Sequence, residues 1–158
     1  MRAQLLGHVF IYIITIVLVS LLLAYGYNAI STFKEKANQI SFIKLKNDLQ
    51  NTIEVLSFDF GSVKVKEFTV PENINFVCFV KNYNGLPTNL QGTGYPLLED
   101  SVKSGIKKNV FLISNKVEES FYAETIDIAD NKLKFCIKVI ANRIKLTMEG
   151  KGDHTVIS

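Results

Sequence analysis

The sequence predicts an α+β protein in which one long N-terminal helix packs on an antiparallel β-sheet of five to six strands. Three observations support this fold class. The stretch Leu5–Tyr27 contains no formally charged residue. Apolar residues then recur at helical spacing as far as Leu56, and from Asp59 onward they alternate with polar residues, as they do in strands. The chain beyond the apolar stretch is long enough for one compact domain.

The apolar stretch predicts a transmembrane helix over residues 4–28. About 20 apolar residues at about 1.5 Å per residue span the roughly 30 Å hydrocarbon core of a bilayer. A secretory signal is the alternative, with Ala24-Tyr25-Gly26 as its cleavage site. The run is longer than the roughly 7–15 residues of a signal's apolar region, which favours a retained helix. We therefore expect the lipid bilayer to be a partner of this chain.

Residues 29–57 are predicted to continue the same helix as an amphipathic extension. Apolar residues follow one another at intervals of three and four, first as Ile30, Phe33, Ala37 and Ile40, and after a slip in phase as Leu45, Leu49, Ile53 and Leu56. The first proline is Pro71, so nothing earlier forces a break. We expect this extension to lie against the domain through one apolar stripe.

Residues 58–158 are predicted to form a β-rich domain. Ile74–Val80 is apolar on both faces, which is typical of a central buried strand. The other segments with strand patterns are Val63–Lys66 (an edge or half-exposed strand), Val110–Ile113, Phe121–Ile128, and two alternating runs over 133–139 and 144–148. Ala141-Asn142 separates the last two runs and predicts a tight turn. These runs are therefore expected to form a hairpin with one solvent-exposed face.

Charge and motif content exclude several classes of function. The formal net charge is +3, and beyond Leu56 there are 13 Lys and Arg residues against 12 Asp and Glu residues. This balance leaves no basic stripe for nucleic-acid phosphates. His8 and His154 are the only histidines and stand far apart in sequence, so spacing predicts no metal site. Phosphate-loop and nucleophile-elbow patterns are also absent. We therefore expect neither an enzyme nor a bound cofactor, metal or nucleic acid.

The two cysteines leave two alternatives open. Cys78 and Cys136 each lie in a strongly β-patterned run. If the domain is extracytoplasmic, a disulfide between them is permitted and would close a loop of almost 60 residues. Otherwise they are two buried small apolar residues that never meet.

The charges that flank the apolar stretch bear on its orientation. Arg2 precedes it, and Lys34, Lys36, Lys44 and Lys46 follow it. Taken alone, the positive-inside bias puts the domain in the cytosol. These lysines also have two interpretations: a solvated helix face, or contact with anionic lipid headgroups.

The longest irregular stretch, 82–108, supplies a candidate contact surface. Tyr83 and Tyr95 lie within it, and Tyr122 follows the next predicted strand. Tyrosine gives a large contact area at a low cost in conformational entropy. The alternative is that these rings only pack in the core or anchor the loop.

The first residues, Arg2-Ala3-Gln4, enter the apolar run directly and resemble the class III signal of archaeal type IV pilins. The resemblance implies a leader of residues 1–3, cut between Ala3 and Gln4 by a prepilin peptidase. The leader is shorter than the family's usual one, and Ala3 replaces the commoner glycine. Many pilins carry a glutamate where this chain has His8. The resemblance therefore implies that His8 packs on the N-terminus of a neighbouring subunit. The alternative is that His8 anchors the helix at the membrane interface.

Two further segments extend the likeness. Phe60-Gly61-Ser62-Val63 and the run from Gly150 to His154 resemble segments of uncharacterised archaeal membrane-anchored proteins of similar layout. That likeness implies no known activity.

Together these observations predict a single-pass membrane protein with a cytoplasmic N-terminus and an extracytoplasmic β domain. The pilin resemblance implies a structural subunit that joins homo- or hetero-oligomers through its N-terminal helix. The alternative is a monomeric single-pass protein whose β-rich ectodomain binds a partner or an envelope component.

Overall fold

The computed structural model describes residues 3–81, 104 and 107–158, with side chains from Val9 onward except that of Asn131. The elements are α1 (Ala3–Ser57), β1 (Val63–Thr69), β2 (Phe76–Val80), β3 (Val110–Ile113), β4 (Val117–Phe121), β5 (Ile126–Ile128), a 3-10 turn (Ala129–Asn131), β6 (Lys134–Lys138), β7 (Arg143–Gly150) and β8 (Thr155–Ile157). The chain forms two compact units, Met1–Gln39 and Ile40–Ser158. We call the second unit the folded domain.

The strands form two four-stranded sheets. The first has the order β1-β7-β8-β5 and the second the order β4-β3-β2-β6. All pairs are antiparallel except β5 with β8, which is parallel. The predicted α+β class with a long N-terminal helix is confirmed. The predicted single antiparallel sheet of five to six strands is wrong, because the described residues hold eight strands in two sheets.

The predicted hairpin between the last two alternating runs is also wrong. Ala141 and Asn142 do form a tight turn, with positive φ of 50° and 57°, and Ile140 and Arg143 pair across it. Beyond that single bridge the strands diverge. β6 pairs with β2 in one sheet, whereas β7 pairs with β1 and β8 in the other. The turn therefore links the two sheets.

One face of the C-terminal part of α1 is built into the core. Leu45, Leu49, Ile53 and Leu56 are at most 4% exposed. They recur every three or four residues and so share one helix face. The inner faces of both sheets supply the rest of the cluster, including Phe68, Val77, Phe79, Leu112, Ile144, Leu146 and Met148. The far face of the second sheet carries a smaller buried cluster of Cys78, Val80, Phe111 and Ile113.

The earlier apolar residues of the helical extension do not join this core. Ile30, Phe33 and Ile40 are 66–76% exposed. The expectation of one stripe running from Ile30 to Leu56 against the domain is therefore wrong. The apolar residues of α1 change from exposed to buried at the slip in phase after Ile40, because the slip places the next apolar residues on a different face of the helix.

The end of α1 approaches β7 so closely that only glycine fits at position 150. A Cβ on Gly150 would overlap the backbone carbonyl oxygens of Leu56 and Asp59. The Gly150 amide donates to the Ser62 carbonyl at 2.9 Å, and the Gly61 amide donates to the Gly150 carbonyl at 2.9 Å. These bonds fix the helix terminus against the first sheet.

Replacing Gly150 with alanine is expected to destabilise the folded domain by about 3 kcal/mol or more, because the clash is with backbone rather than with a movable side chain. Urea unfolding of the full chain in detergent, followed by near-ultraviolet circular dichroism, measures this. The matched control is Gly26→Ala, whose Cβ would meet nothing within 4 Å. That change should shift stability by less than about 1 kcal/mol. Equal midpoints for the two variants would contradict the close approach.

Candidate functional site: an apolar helix and a disulfide-linked domain

The N-terminal half of α1 presents an uncovered apolar surface. From Val9 to Leu23 every side chain is exposed, among them Phe10, Ile13, Ile16, Val17, Leu21, Leu22 and Leu23. The sequence has no Asp, Glu, Lys or Arg between Val9 and Phe33. Among the described residues, this is the one helix long and apolar enough to cross a membrane. Apolar surface of this extent is strongly disfavoured in water.

The few hydroxyl groups in this surface are satisfied within the helix. Thr15 Oγ1 donates to the Ile11 carbonyl and Ser20 Oγ to the Ile16 carbonyl, both at 2.8 Å. In each case the acceptor lies four residues earlier. An unsatisfied polar group costs several kcal/mol in hydrocarbon. The back-bonding therefore makes this segment compatible with lipid.

Aromatic residues flank the aliphatic centre of the segment. Phe10 and Tyr12 lie near one end, and Tyr25 and Tyr27 near the other, all well exposed. The 17 residue steps from Phe10 to Tyr27 correspond to about 26 Å of helix at about 1.5 Å per residue. Tyrosines at both ends of an apolar span are typical of the two membrane–water interfaces.

Within the folded domain, three polar contacts attach α1 to the strands and the loop around it. Gln50 Nε2 donates to the Tyr122 carbonyl at 2.7 Å. Lys66 Nζ on β1 donates to Thr52 Oγ1 at 2.8 Å. A third bond comes from β8, where the buried Thr155 hydroxyl donates to the Ile53 carbonyl at 3.0 Å. The same helix that carries the apolar surface is thus an integral element of the domain.

A disulfide joins two neighbouring strands of the second sheet, the central β2 and the edge strand β6. Cys78 on β2 and Cys136 on β6 are directly opposite in register, with their Cα atoms 4.0 Å apart. Cys78 is fully buried, whereas Cys136 lies on the exposed side of an edge strand. Of the two alternatives that the sequence left open, the structure contains the bridge.

The other predicted site residues lie at or beyond the limits of the described structure. The structure describes the backbone of Ala3 and Gln4 in the first turn of α1 and that of His8 in the second turn. Their side chains lie outside the described residues, as do Tyr83 and Tyr95 altogether. The structure therefore does not test the processing site, the packing of His8 or the tyrosine contact surface.

Neither the metal-binding residue types nor the glycine-rich run near the C-terminus forms a site in the part of the chain that the structure describes. No set of three His, Cys, Asp or Glu side chains among the described residues is grouped for a metal ion. His154 Nδ1 lies 2.6 Å from Asp153 Oδ1, in the exposed turn between β7 and β8. That turn is closed by the Lys151 amide donating to the His154 carbonyl, so the glycine-rich run there is the connection of a hairpin.

No protein family, curated protein or solved structure matches this chain. Sequence reasoning missed the back-bonding of Thr15 and Ser20. Their hydroxyls within an otherwise apolar helix were the available signal, because such groups reach the carbonyl four positions earlier.

Changing Ile13, Val17 and Leu21 together to lysine is expected to release the chain from membranes. Each lysine near the centre of a span costs about 3 kcal/mol of insertion free energy, so the three oppose insertion by about 9 kcal/mol. Resistance of the membrane-bound chain to alkaline carbonate extraction measures this.

The matched control changes Ile40, Ile43 and Val55 together to lysine. These three are also exposed apolar residues of α1, but they lie in the folded domain. The control variant should stay carbonate-resistant. Release of both variants, or of neither, would argue against the assignment of the span to residues around 9–27.

Removal of the disulfide by Cys78→Ala with Cys136→Ala is expected to lower the free energy of unfolding by about 2–4 kcal/mol, because a bridge across 58 positions restricts the unfolded chain. Urea unfolding with and without dithiothreitol measures this. The reductant should destabilise the original chain and leave the double variant unchanged. Free reaction of both thiols with maleimide in the unfolded, unreduced protein would contradict the bridge.

Proposed function

We propose that this chain is a membrane-anchored, type IV pilin-like structural subunit. Its N-terminal helix holds it in the bilayer and mediates assembly, and its folded domain is exposed outside the cell. The observation that carries the proposal is the uncovered apolar surface of Val9–Leu23 on a helix whose other end is built into a folded domain. Lipid covers that surface before assembly, and neighbouring helices cover it afterwards.

A second observation favours assembly over a monomeric receptor. Ile30, Phe33 and Ile40 stay exposed although they lie beyond the aromatic residues that end the apolar span. They recur at the spacing with which one helix packs against another. Burial of such side chains contributes about 1.5–3 kcal/mol each. Contact between the helices of neighbouring subunits would cover them.

The disulfide supports an extracytoplasmic domain. Bridges such as Cys78–Cys136 persist in oxidising compartments and are rare in the cytosol. The lysines after the span favour the opposite orientation. Among them, Lys44 and Lys46 lie beyond the start of the folded domain at Ile40. The bridge favours the extracytoplasmic side more strongly than the lysines oppose it, because such bonds are rare in the cytosol, whereas charge bias acts mainly through residues near the bilayer.

Leader processing tests the proposal. Co-expression with an archaeal prepilin peptidase is expected to remove Met1–Ala3 and leave Gln4 as the N-terminus, because the cut lies on the cytoplasmic side of an intact span. Intact-protein mass spectrometry of the membrane fraction measures the loss. Ala3→Asp should block it, because a charged side chain does not fit a pocket for a small residue, whereas Ala24→Asp, beyond the apolar centre, should be processed normally.

Two outcomes would overturn parts of the proposal. An intact N-terminus in cells that process other pilins would contradict the pilin-like assignment. A processed chain that stays monomeric in bilayers at high density would instead favour the alternative of a single-pass protein whose domain binds a partner or an envelope component.

A further inference from the structure

An open groove lies where the two sheets of the folded domain meet. It has a volume of about 550 Å³. We call it the basic groove; its lining is Glu67, Ile137, Lys138, Ile140, Ala141, Arg143, Ile144 and Lys145. The residues come from β1, from β6 and the turn after it, and from β7, so no single segment of sequence contains the groove.

Backbone hydrogen bonds hold the walls of the groove in place. Ile140 and Arg143 exchange amide–carbonyl bonds of 3.1 and 3.0 Å across the turn. The Val70 amide donates to the Asn142 carbonyl at 2.8 Å, which ties the turn to the end of β1. The charged side chains at the rim therefore project from a fixed frame.

The charge and the apolar lining of the basic groove define the kind of ligand that fits it. Lys138, Arg143 and Lys145 supply three positive charges, and Glu67 offsets one of them through an exposed contact of 3.4 Å with Arg143. Lys138 and Lys145 therefore have no ion-pair partner within the lining. The apolar part of the lining is aliphatic, formed by Ile137, Ile140 and Ile144, and it has no aromatic platform for a sugar ring. The groove therefore suits a peptide segment with two carboxylates beside an aliphatic side chain.

This chain carries such a segment on β4. Val117, Glu118 and Glu119 follow one another there, and both glutamates are exposed. We call these three residues the acidic edge, because β4 is an edge strand of the second sheet. Glu118 has no register partner on β3, because the pairing shifts between Leu112 and Ile113. Glu118 accepts a hydrogen bond from Ser114 and lies 4.0 Å from Lys116 Nζ, whereas Glu119 has no ion pair among the described residues.

The sheet order places the acidic edge and the basic groove on opposite sides of one domain. β4 is the first strand of the order β4-β3-β2-β6, and β6, which contributes Ile137 and Lys138 to the groove, is the last. Every pair in this sheet is antiparallel. Two copies that face the same way and lie side by side along this strand order place β4 of one copy next to β6 of the other.

We propose that the acidic edge of one copy binds the basic groove of the next copy. This inference rests on the proposed assembly function, and it adds a contact between folded domains to the contact between helices. The contact is heterologous, with different surfaces on the two copies, so each added copy leaves a free groove and a free edge. Such a contact propagates along a row of subunits. The bulge and the two charges oppose direct strand pairing at β4, so side-chain charge carries the contact.

Zero-length cross-linking of the full chain in lipid vesicles tests the contact. A carbodiimide joins a lysine amine and a glutamate carboxylate that touch, forming an amide while the carboxylate oxygen leaves as a urea. Mixing equal amounts of ¹⁴N- and ¹⁵N-labelled chain makes links between copies recognisable by mass spectrometry. We expect mixed-isotope links from Lys138 or Lys145 to Glu118 or Glu119, weakened at high salt by screening.

Two variants that reverse the charges of the basic groove and of the acidic edge test the contact further. Lys138→Glu with Lys145→Glu removes the amines of these links, and Glu118→Lys with Glu119→Lys removes their carboxylates, so either variant alone loses them. A mixture of the two variants should again form mixed-isotope links between positions 138 or 145 and positions 118 or 119, because the reversed groove of one fits the reversed edge of the other. A loss of folding cannot produce that recovery. The control Lys132→Glu changes an exposed lysine paired with Asp130, outside the groove, and should leave the yield unchanged.

The outcomes separate this contact from the proposed function. Mixed-isotope links confined to helix residues, or no recovery in the variant mixture, would overturn the groove contact and leave helix-mediated assembly standing. If the original chain forms no mixed-isotope links and also stays monomeric in dense vesicles, both the groove contact and assembly are overturned.

Discussion

An apolar helical surface that the rest of the described chain leaves bare is the constraint on which this protein depends. Side chains from Val9 to Leu23 face outward, and their exposure to water would cost far more than the marginal stability of a domain of this size provides. Lipid or other helices must cover them. The back-bonded hydroxyls of Thr15 and Ser20 and the flanking tyrosines fit the same environment.

The same helix also serves the folded domain, and this dual use shapes the rest of the structure. Leu45, Leu49 and Ile53 supply one wall of the core, and the buried Thr155 hydroxyl binds a carbonyl of the helix. The close approach at Gly150 holds the helix end against the first sheet, and the Cys78–Cys136 bridge joins two strands of the second sheet.

The sequence predicts the elements of this fold better than it predicts their arrangement. Long apolar patterns were sufficient to predict α1 and the buried strand β2. The break between two alternating runs was sufficient to predict the turn at Ala141-Asn142. Strands β5 and β8 have three residues each, too short for a period to be visible. Their parallel pairing arises from contacts between segments distant in sequence. The basic groove also has no sequence signature, because its residues come from three strands of two sheets and from the turn that links them. The exposure of Phe33 was also unpredicted, since spacing shows that a helix has an apolar face but does not identify what covers it.

The account depends most directly on where two parts of α1 lie relative to the bilayer. Nitroxide labels on cysteines introduced separately at Val17 and Val55 measure this in vesicles, because the native cysteines are bonded to each other. The account predicts that the label at 17 is reached by oxygen and shielded from a water-soluble nickel complex, and that the label at 55 shows the reverse. Equal access of the nickel complex to both labels would contradict a membrane-embedded segment and the functional proposal that rests on it.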